Sequence, residues 1–218
     1  MMTPDCEQMA MLNPDIVFVT GMSYVDGDDP FQALIDMGVC VVVIPSSTSI
    51  QGVKEDTIFL GECLNKQAEA KALVDGMDET LNAVSEIGAA IEEKKTVAFE
   101  ISALPYLCCT GGNTYQDEMI SLLGAVNVYA DQESWFSVTE EAAVAANPDI
   151  ILTSVDYIDD PVGEIKGRAG WESVSAVANG DVYLIDNETS GLPNHNIVKA
   201  LVQMAKVIYP EAYADFEG

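Results

Sequence analysis

The chain writes one phrase twice. NPDIVFVT occupies residues 13–20 and NPDIILTS residues 147–154. In both copies an acid stands seven residues before the proline, Glu7 before Pro14 and Glu141 before Pro148, with a threonine upstream, Thr3 and Thr139. A threonine N-cap with an acid in the first turn starts a helix. Asn-Pro ends it, because the residue before proline is pushed out of the helical region. The β-branched run that follows suits a parallel strand buried on both faces. The repeated unit is therefore an acid-led helix, an NPD turn and a buried strand.

Each half also carries a second helix-to-strand unit. FQALIDMGVCVVVIP predicts a helix from about Phe31, a stop at Gly38 and a strand over 39–44. YQDEMISLLGAVNVYA predicts a helix from about Thr114, a stop at Gly124 and a strand around 126–129. These pieces describe two related α/β lobes, and doubly wound, Rossmann-like architecture accommodates them.

Between the halves, residues 62–93 contain no proline, and Leu73, Met77, Leu81, Val84, Ile87 and Ile91 recur at helical spacing. The spacing predicts one amphipathic helix, of about 45 Å at about 1.5 Å per residue, long enough to join two lobes. Gly76 and Gly88 weaken it. The expected organisation is an N-terminal lobe over 1–61, the helix over 62–93 and a C-terminal lobe over 94–218. Toward the end, Trp171 marks a helix start, Asn179-Gly180 a turn before the strand DVYLID, and Ile197, Leu201, Met204 or Ala205, and Ile208 one face of a closing helix.

Charge narrows the function. Nine Lys and Arg face 36 Asp and Glu, a formal net charge of -27. Such a surface repels phosphate backbones, so nucleic acid is excluded as a partner. No apolar run reaches the roughly 18 residues of a membrane span. The opening MMTPDCEQMAMLNPD has neither the basic nor the apolar region of an export signal. Five cysteines without regular spacing are not a disulfide framework. With one histidine, His195, and no CxxC, no metal site is assembled from spacing, and no cofactor is expected. There is no GxSxG elbow or paired-histidine motif, so no catalytic residue is assigned.

The residues offer several candidate sites. LPYLCCTGGNTYQ places Gly111 and Gly112 between a strand and a helix begun by Asn113 or Thr114, an arrangement that presents backbone N–H groups at a cleft. The competing reading is ordinary loop packing. Ser23 and Tyr24 follow the first NPD strand, and Asp156 and Tyr157 the second, where strand ends face a cleft. Packed turns are the alternative. Cys108 and Cys109 are either ordinary packing residues or reactive or ligating thiols of an intracellular chelate- or cofactor-handling protein.

The order of these pieces resembles the long-helix class of ABC-transporter substrate-binding proteins, whose members bind ferric siderophores, haem or cobalamin. The matching stretches are PDIVFV, ALIDMGVCVVVIP, the long helix, GGNTYQDEMISLLGAVNVY, WFSVTEEAAVAANPDIIL, GWESVSAVANGDVYLID and ALVQMAKVIYP, which together cover nearly the whole chain. The resemblance implies a non-enzymatic, monomeric receptor that hands a metal chelate to a membrane permease. It also implies an extracytoplasmic location, periplasmic or lipoprotein-anchored. Members of the class begin with an export signal and a strand-rich segment that this sequence lacks, so a truncated first lobe with a small sheet is expected. The resemblance places ligand contacts at Ser23, Tyr24, Tyr106, Gly111, Gly112, Asn113, Tyr115, Trp135 and Arg168. Arg168, the one arginine, would meet an anionic group, unless it serves a local salt bridge. One surface acid per lobe, Glu7 and Glu141, would dock on arginines of the permease, where the plain alternative is helix-dipole stabilisation.

Overall fold

The computed structural model describes residues 4–24 and 29–216. Two compact units divide the chain, Met1–Ser47 and Thr48–Gly218.

In the first unit, helix α1 (Cys6–Met11) is capped by Asp5, whose side chain accepts from the Gln8 N–H. The N-cap expected at Thr3 lies outside the described residues. Asn13 takes a left-handed backbone, φ 49°, and Pro14 leads into strand β1 (Ile16–Thr20). Helix α2 (Gln32–Asp36) turns at Gly38, φ 88°, into β2 (Cys40–Ile44). β1 and β2 pair in parallel from Ile16 opposite Cys40 to Thr20 opposite Ile44. Val19, Phe31 and Leu34 form the core. The sequence predicts strands buried on both faces, yet of β1 and β2 only Val19 is buried. Among the described residues this sheet has two strands, too few to cover both faces.

The second unit opens with two helices, α3 (Ile50–Cys63) and α4 (Gln67–Ala89), that pack on each other. This departs from a single helix starting at residue 62 and from a first lobe reaching residue 61. Asn65 adopts φ 55° and reverses the chain. The two helices approach so closely at Gly61 that a Cβ there would overlap the Ala70 side chain. Leu73, expected on the buried face, is exposed, whereas Met77, Leu81, Val84 and Gly88 are buried.

The remaining elements are β3 (Thr96–Ser102), β4 (Cys108–Thr110), α5 (Tyr115–Leu122), β5 (Val126–Asn127), β6 (Trp135–Ser137), α6 (Glu140–Ala146), β7 (Ile150–Thr153), α7 (Pro161–Lys166), α8 (Ser175–Asn179), β8 (Val182–Leu184), α9 (Asn187–Ser190) and α10 (Ile197–Ile208). The sheet order is β6-β4-β3-β7-β8, with β5 also beside β3. β5, β7 and β8 run parallel within this sheet, and β4 and β6 close one edge with antiparallel pairings.

Alternation along β3 and β7 sorts side chains to two faces. Val97, Phe99, Ile150 and Leu152 join the core beneath α4, α5 and α10. Ala98 and Ile151 join Val182, Ile165, Trp171 and Val174 on the other. Helices on both faces make this unit doubly wound. α10 buries Ile197, Leu201, Met204, Ala205 and Ile208 on the stripe that its spacing predicts.

Candidate functional site

In the second unit β3, β7 and β8 are parallel, so their carboxyl ends form one edge, where ligands bind in open α/β sheets. Just past β3, Tyr106 is 80% exposed, and just past β7, Tyr157 is 65% exposed. The Tyr157 hydroxyl accepts from the Ala103 N–H at 2.9 Å and lies 3.3 Å from the Ser102 hydroxyl. Its ring is therefore tethered at the far end while its faces meet solvent. Asp156 is held beside it by the Asn187 side-chain amide at 2.8 Å. Two exposed tyrosines at the strand ends are the aromatic surface from which a ligand site on this unit can be built.

Other residues expected at the site have structural duties. The Gly111 and Gly112 N–H groups donate to the Ser134 and Gln132 carbonyls, at 2.8 and 2.7 Å. A Cβ on either glycine would overlap the backbone of residues 130–134. These glycines permit a close crossing of chains, and the two N–H groups are occupied by it. Asn113 is exposed with φ 58°, and Thr114 caps α5 by accepting from the Asp117 N–H. Tyr115 is buried, donates to the Ser190 carbonyl at 2.9 Å and meets the half-buried Trp135 edge-on at 6.5 Å. Burial raises its phenol to about 12. In the first unit, Tyr24 is half-buried with its ring edge-on to Phe31 at 5.7 Å, and Ser23 ends a short turn.

Arg168 takes the local salt bridge, one of its two readings. It is 5% exposed, where a solvent-borne anion has no access. Its Nη1 and Nη2 donate to the two Glu100 carboxylate oxygens at 2.8 and 2.9 Å, and Nη2 and Nε also reach Glu164. The Trp171 ring lies 4.8 Å from the guanidinium carbon. Burial opposes the charge on Arg168, but the bonds and charges of Glu100 and Glu164 outweigh it and hold the guanidinium protonated. Burial raises the Glu100 carboxyl, against the pull of Arg168. Such a pair is costly to bury and serves specificity more readily than net stability.

The vicinal cysteines are not activated. Burial raises both thiols, Cys109 the more, with further raising from Glu100. Reactive or ligating thiol chemistry needs the opposite shift. Among the described residues, no group of three or more His, Cys, Asp and Glu could hold a metal ion.

Glu7 and Glu141 occupy the same position in their units. Each is the second residue of its helix, α1 or α6, and each is exposed. Both helices lead into an asparagine in the left-handed region, Asn147 at φ 44° capping α6 and Asn13 at φ 49° one residue past the Leu12 cap of α1. The repeat in the sequence is thus a repeat in local conformation. Tyr157 carried a weaker signal than the glycine-rich loop, because a lone tyrosine after a strand reads equally as packing.

This chain belongs to the periplasmic binding protein family, whose sequence profile matches residues 1–189. It is 29% identical over 216 residues to YvrC of Bacillus subtilis, an uncharacterised ABC transporter substrate-binding lipoprotein, covering 98% of this chain and 68% of the relative. The molybdate-binding protein MolA of Haemophilus influenzae is 26% identical, with 97% and 65% covered, and a cobalamin-binding protein of Halobacterium salinarum 23% identical, with 93% and 55% covered. This chain therefore spans between about half and two thirds of the length of these curated relatives. A possible iron-binding, periplasmic solute-binding protein of Staphylococcus epidermidis matches in structure with a TM-score of 0.83 and 26% identity, over 95% of this chain and 81% of that one.

Proposed function

We propose that this protein is the substrate-binding component of an ABC importer, which captures a metal chelate outside the cytoplasm and delivers it to a membrane permease. It acts as a monomer, periplasmic or lipoprotein-anchored. A ferric siderophore is the first-ranked ligand, ahead of haem and cobalamin. The observation that carries the reading is the pair of exposed tyrosines, Tyr106 and Tyr157, at the carboxyl edge of the parallel strands in a member of this family. Aromatic faces suit the apolar flanks of a chelate or macrocycle. The names of relatives that bind cobalamin and molybdate, and of a possible iron-binding structural neighbour, agree with a metal-containing ligand.

The test is a titration of intrinsic fluorescence with ferric desferrioxamine B, haemin, cyanocobalamin and molybdate. Saturable binding of one of the three chelates is expected, with Tyr106→Ala and Tyr157→Ala each weakening it by about tenfold. Saturation by molybdate alone would move the assignment to small oxyanions, and saturation by none of the four would remove it.

Docking is assigned to Glu7 and Glu141. Support comes from their exposure and equivalent places in the two units. Exposed charge pairs add little stability but steer encounter and fix register. Replacing either acid with alanine is expected to spare folding and chelate affinity and to weaken permease-dependent uptake, the double variant more so. Substitution of Asp75 or Glu79 on α4 serves as the control. Parental uptake by the double variant would reduce the repeat to a folding motif.

A further inference from the structure

The stretch from residue 154 to 168 leaves the end of β7, carries Tyr157 over the sheet edge, forms α7 and returns to the core at Arg168. It touches β3 and the residue that follows it at three points. The Ser154 N–H donates to the Glu100 carbonyl at 3.1 Å. The Tyr157 hydroxyl accepts from Ala103. The Arg168 guanidinium grips the Glu100 carboxylate with two parallel bonds. Glu100 therefore anchors both ends of the strap, one through its backbone and one through its side chain. Arg168 also reaches back four residues to Glu164 on α7, so helix and arginine are joined as one piece.

We infer that Arg168 is a positioning residue: its two-pronged bond to Glu100 fixes the strap over residues 154–168 in the register that sets the Tyr157 ring on the ligand edge. This rests on the reading of that edge given above. A bidentate guanidinium–carboxylate pair fixes orientation as well as distance, which one apolar contact does not. That gives a reason for the protein to bury a pair whose desolvation cost rivals its attraction.

The experiment separates register from stability. Arg168→Met alone strands Glu100 in the core and is expected to unfold much of the protein. The double variant Glu100→Leu/Arg168→Met removes both buried charges and is expected to melt close to the parent. Amide hydrogen exchange then reads the strap without any ligand. In the double variant the Ala103 amide, which Tyr157 protects, should exchange about tenfold faster, while Phe99 in the middle of β3 stays slow. Tyr157→Phe sets the upper limit of that acceleration. Arg168→Lys, which keeps the charge and loses the fork, should fall between parent and double variant. Unchanged protection of Ala103 in a folded double variant would overturn the clamp. Ferric desferrioxamine B, haemin and cyanocobalamin form the second arm, with affinity for the chelate that the parent binds expected to drop about tenfold in the double variant. Faster Ala103 exchange with unchanged chelate affinity would overturn the link to the ligand edge. A parent that binds no chelate refutes the functional reading, while the exchange result still decides the clamp.

Discussion

Asp149 ends the second NPD turn, and its carboxylate accepts from the Thr96 backbone N–H at 2.8 Å and from the Thr96 hydroxyl at 2.7 Å. The Thr96 hydroxyl in turn accepts from the Asp149 N–H, so the first residue of β3 and the start of β7 are locked reciprocally. These bonds favour the ionised form and hold the carboxyl below its ordinary value of 3.8, backbone bond first and side-chain bond second. A group lowered on folding stabilises above its unfolded pKa, and that contribution is lost as pH falls through the folded value. At pH 7, Asp149→Asn should therefore cost about 1 kcal/mol, a figure kept low because the group is exposed. As pH falls below about 4, the difference between parent and variant should shrink toward zero. Urea midpoints measured from pH 7 to pH 2 check this. A gap that stays constant over that range would show that the cost of the substitution does not come from the carboxylate's charge.

Helix α4 contains two glycines with opposite roles. Gly76 is exposed and has open space where a Cβ would stand. Gly88 is buried, and a Cβ there would come within 2.1 Å of the Leu122 carbonyl oxygen. Gly124 on the other side, at φ 78°, meets the Gly88 carbonyl in the same crossing. Gly76→Ala should raise stability by about 0.5–1 kcal/mol, the ordinary gain in helix propensity. Gly88→Ala must push two backbones apart and should cost about 2–3 kcal/mol. Chemical denaturation of the two variants reads both signs, and a stabilising Gly88→Ala would mean that α4 and α5 slide without penalty. This pair also marks how far the sequence can be read. The helix, its buried Met77, Leu81 and Val84, the strands after each NPD turn and the stripe on α10 follow from local periodicity and turn chemistry. The break at Asn65 does not, because an asparagine in a polar stretch forms a left-handed turn only when packing such as Gly61 on Ala70 rewards it. Nor was Gly111-Gly112 legible as a chain crossing, since its partner is the turn over residues 130–134, about twenty residues further along the chain. Arg168 was open to two readings, salt bridge or ligand donor, and only the long-range approach of Glu100 decides between them.

With nine cations against 36 acids, no arrangement of salt bridges neutralises this molecule. Among the described residues the basic groups seen in ion pairs are Lys54 with Asp78, Lys66 with Glu69, Lys71 with Asp75, and Arg168 with Glu100 and Glu164. The acids outnumber the cations four to one, and their mutual repulsion grows as the chain compacts. Added salt shortens the screening length from about 30 Å at 0.01 M to about 10 Å at 0.1 M and about 3 Å at 1 M. The melting temperature should accordingly rise steeply between 0.01 and about 0.3 M NaCl and then level off, because screening saturates once its range falls below the spacing of the charges. A rise that continues linearly would instead indicate a general exclusion of salt from the surface, and a flat response would mean that the acids are too dispersed to repel. The same field acts on an approaching ligand. Association of an anionic chelate should accelerate as NaCl is added, and that of a cationic one should slow, while dissociation changes little in either case. Stopped-flow association rates for the chelate that the parent binds, taken across that salt range, should therefore fall with salt for cationic ferric desferrioxamine B or rise with it for anionic haemin. A slope of the opposite sign would show that the local charge around Tyr106 and Tyr157, and not the net charge of -27, governs the encounter.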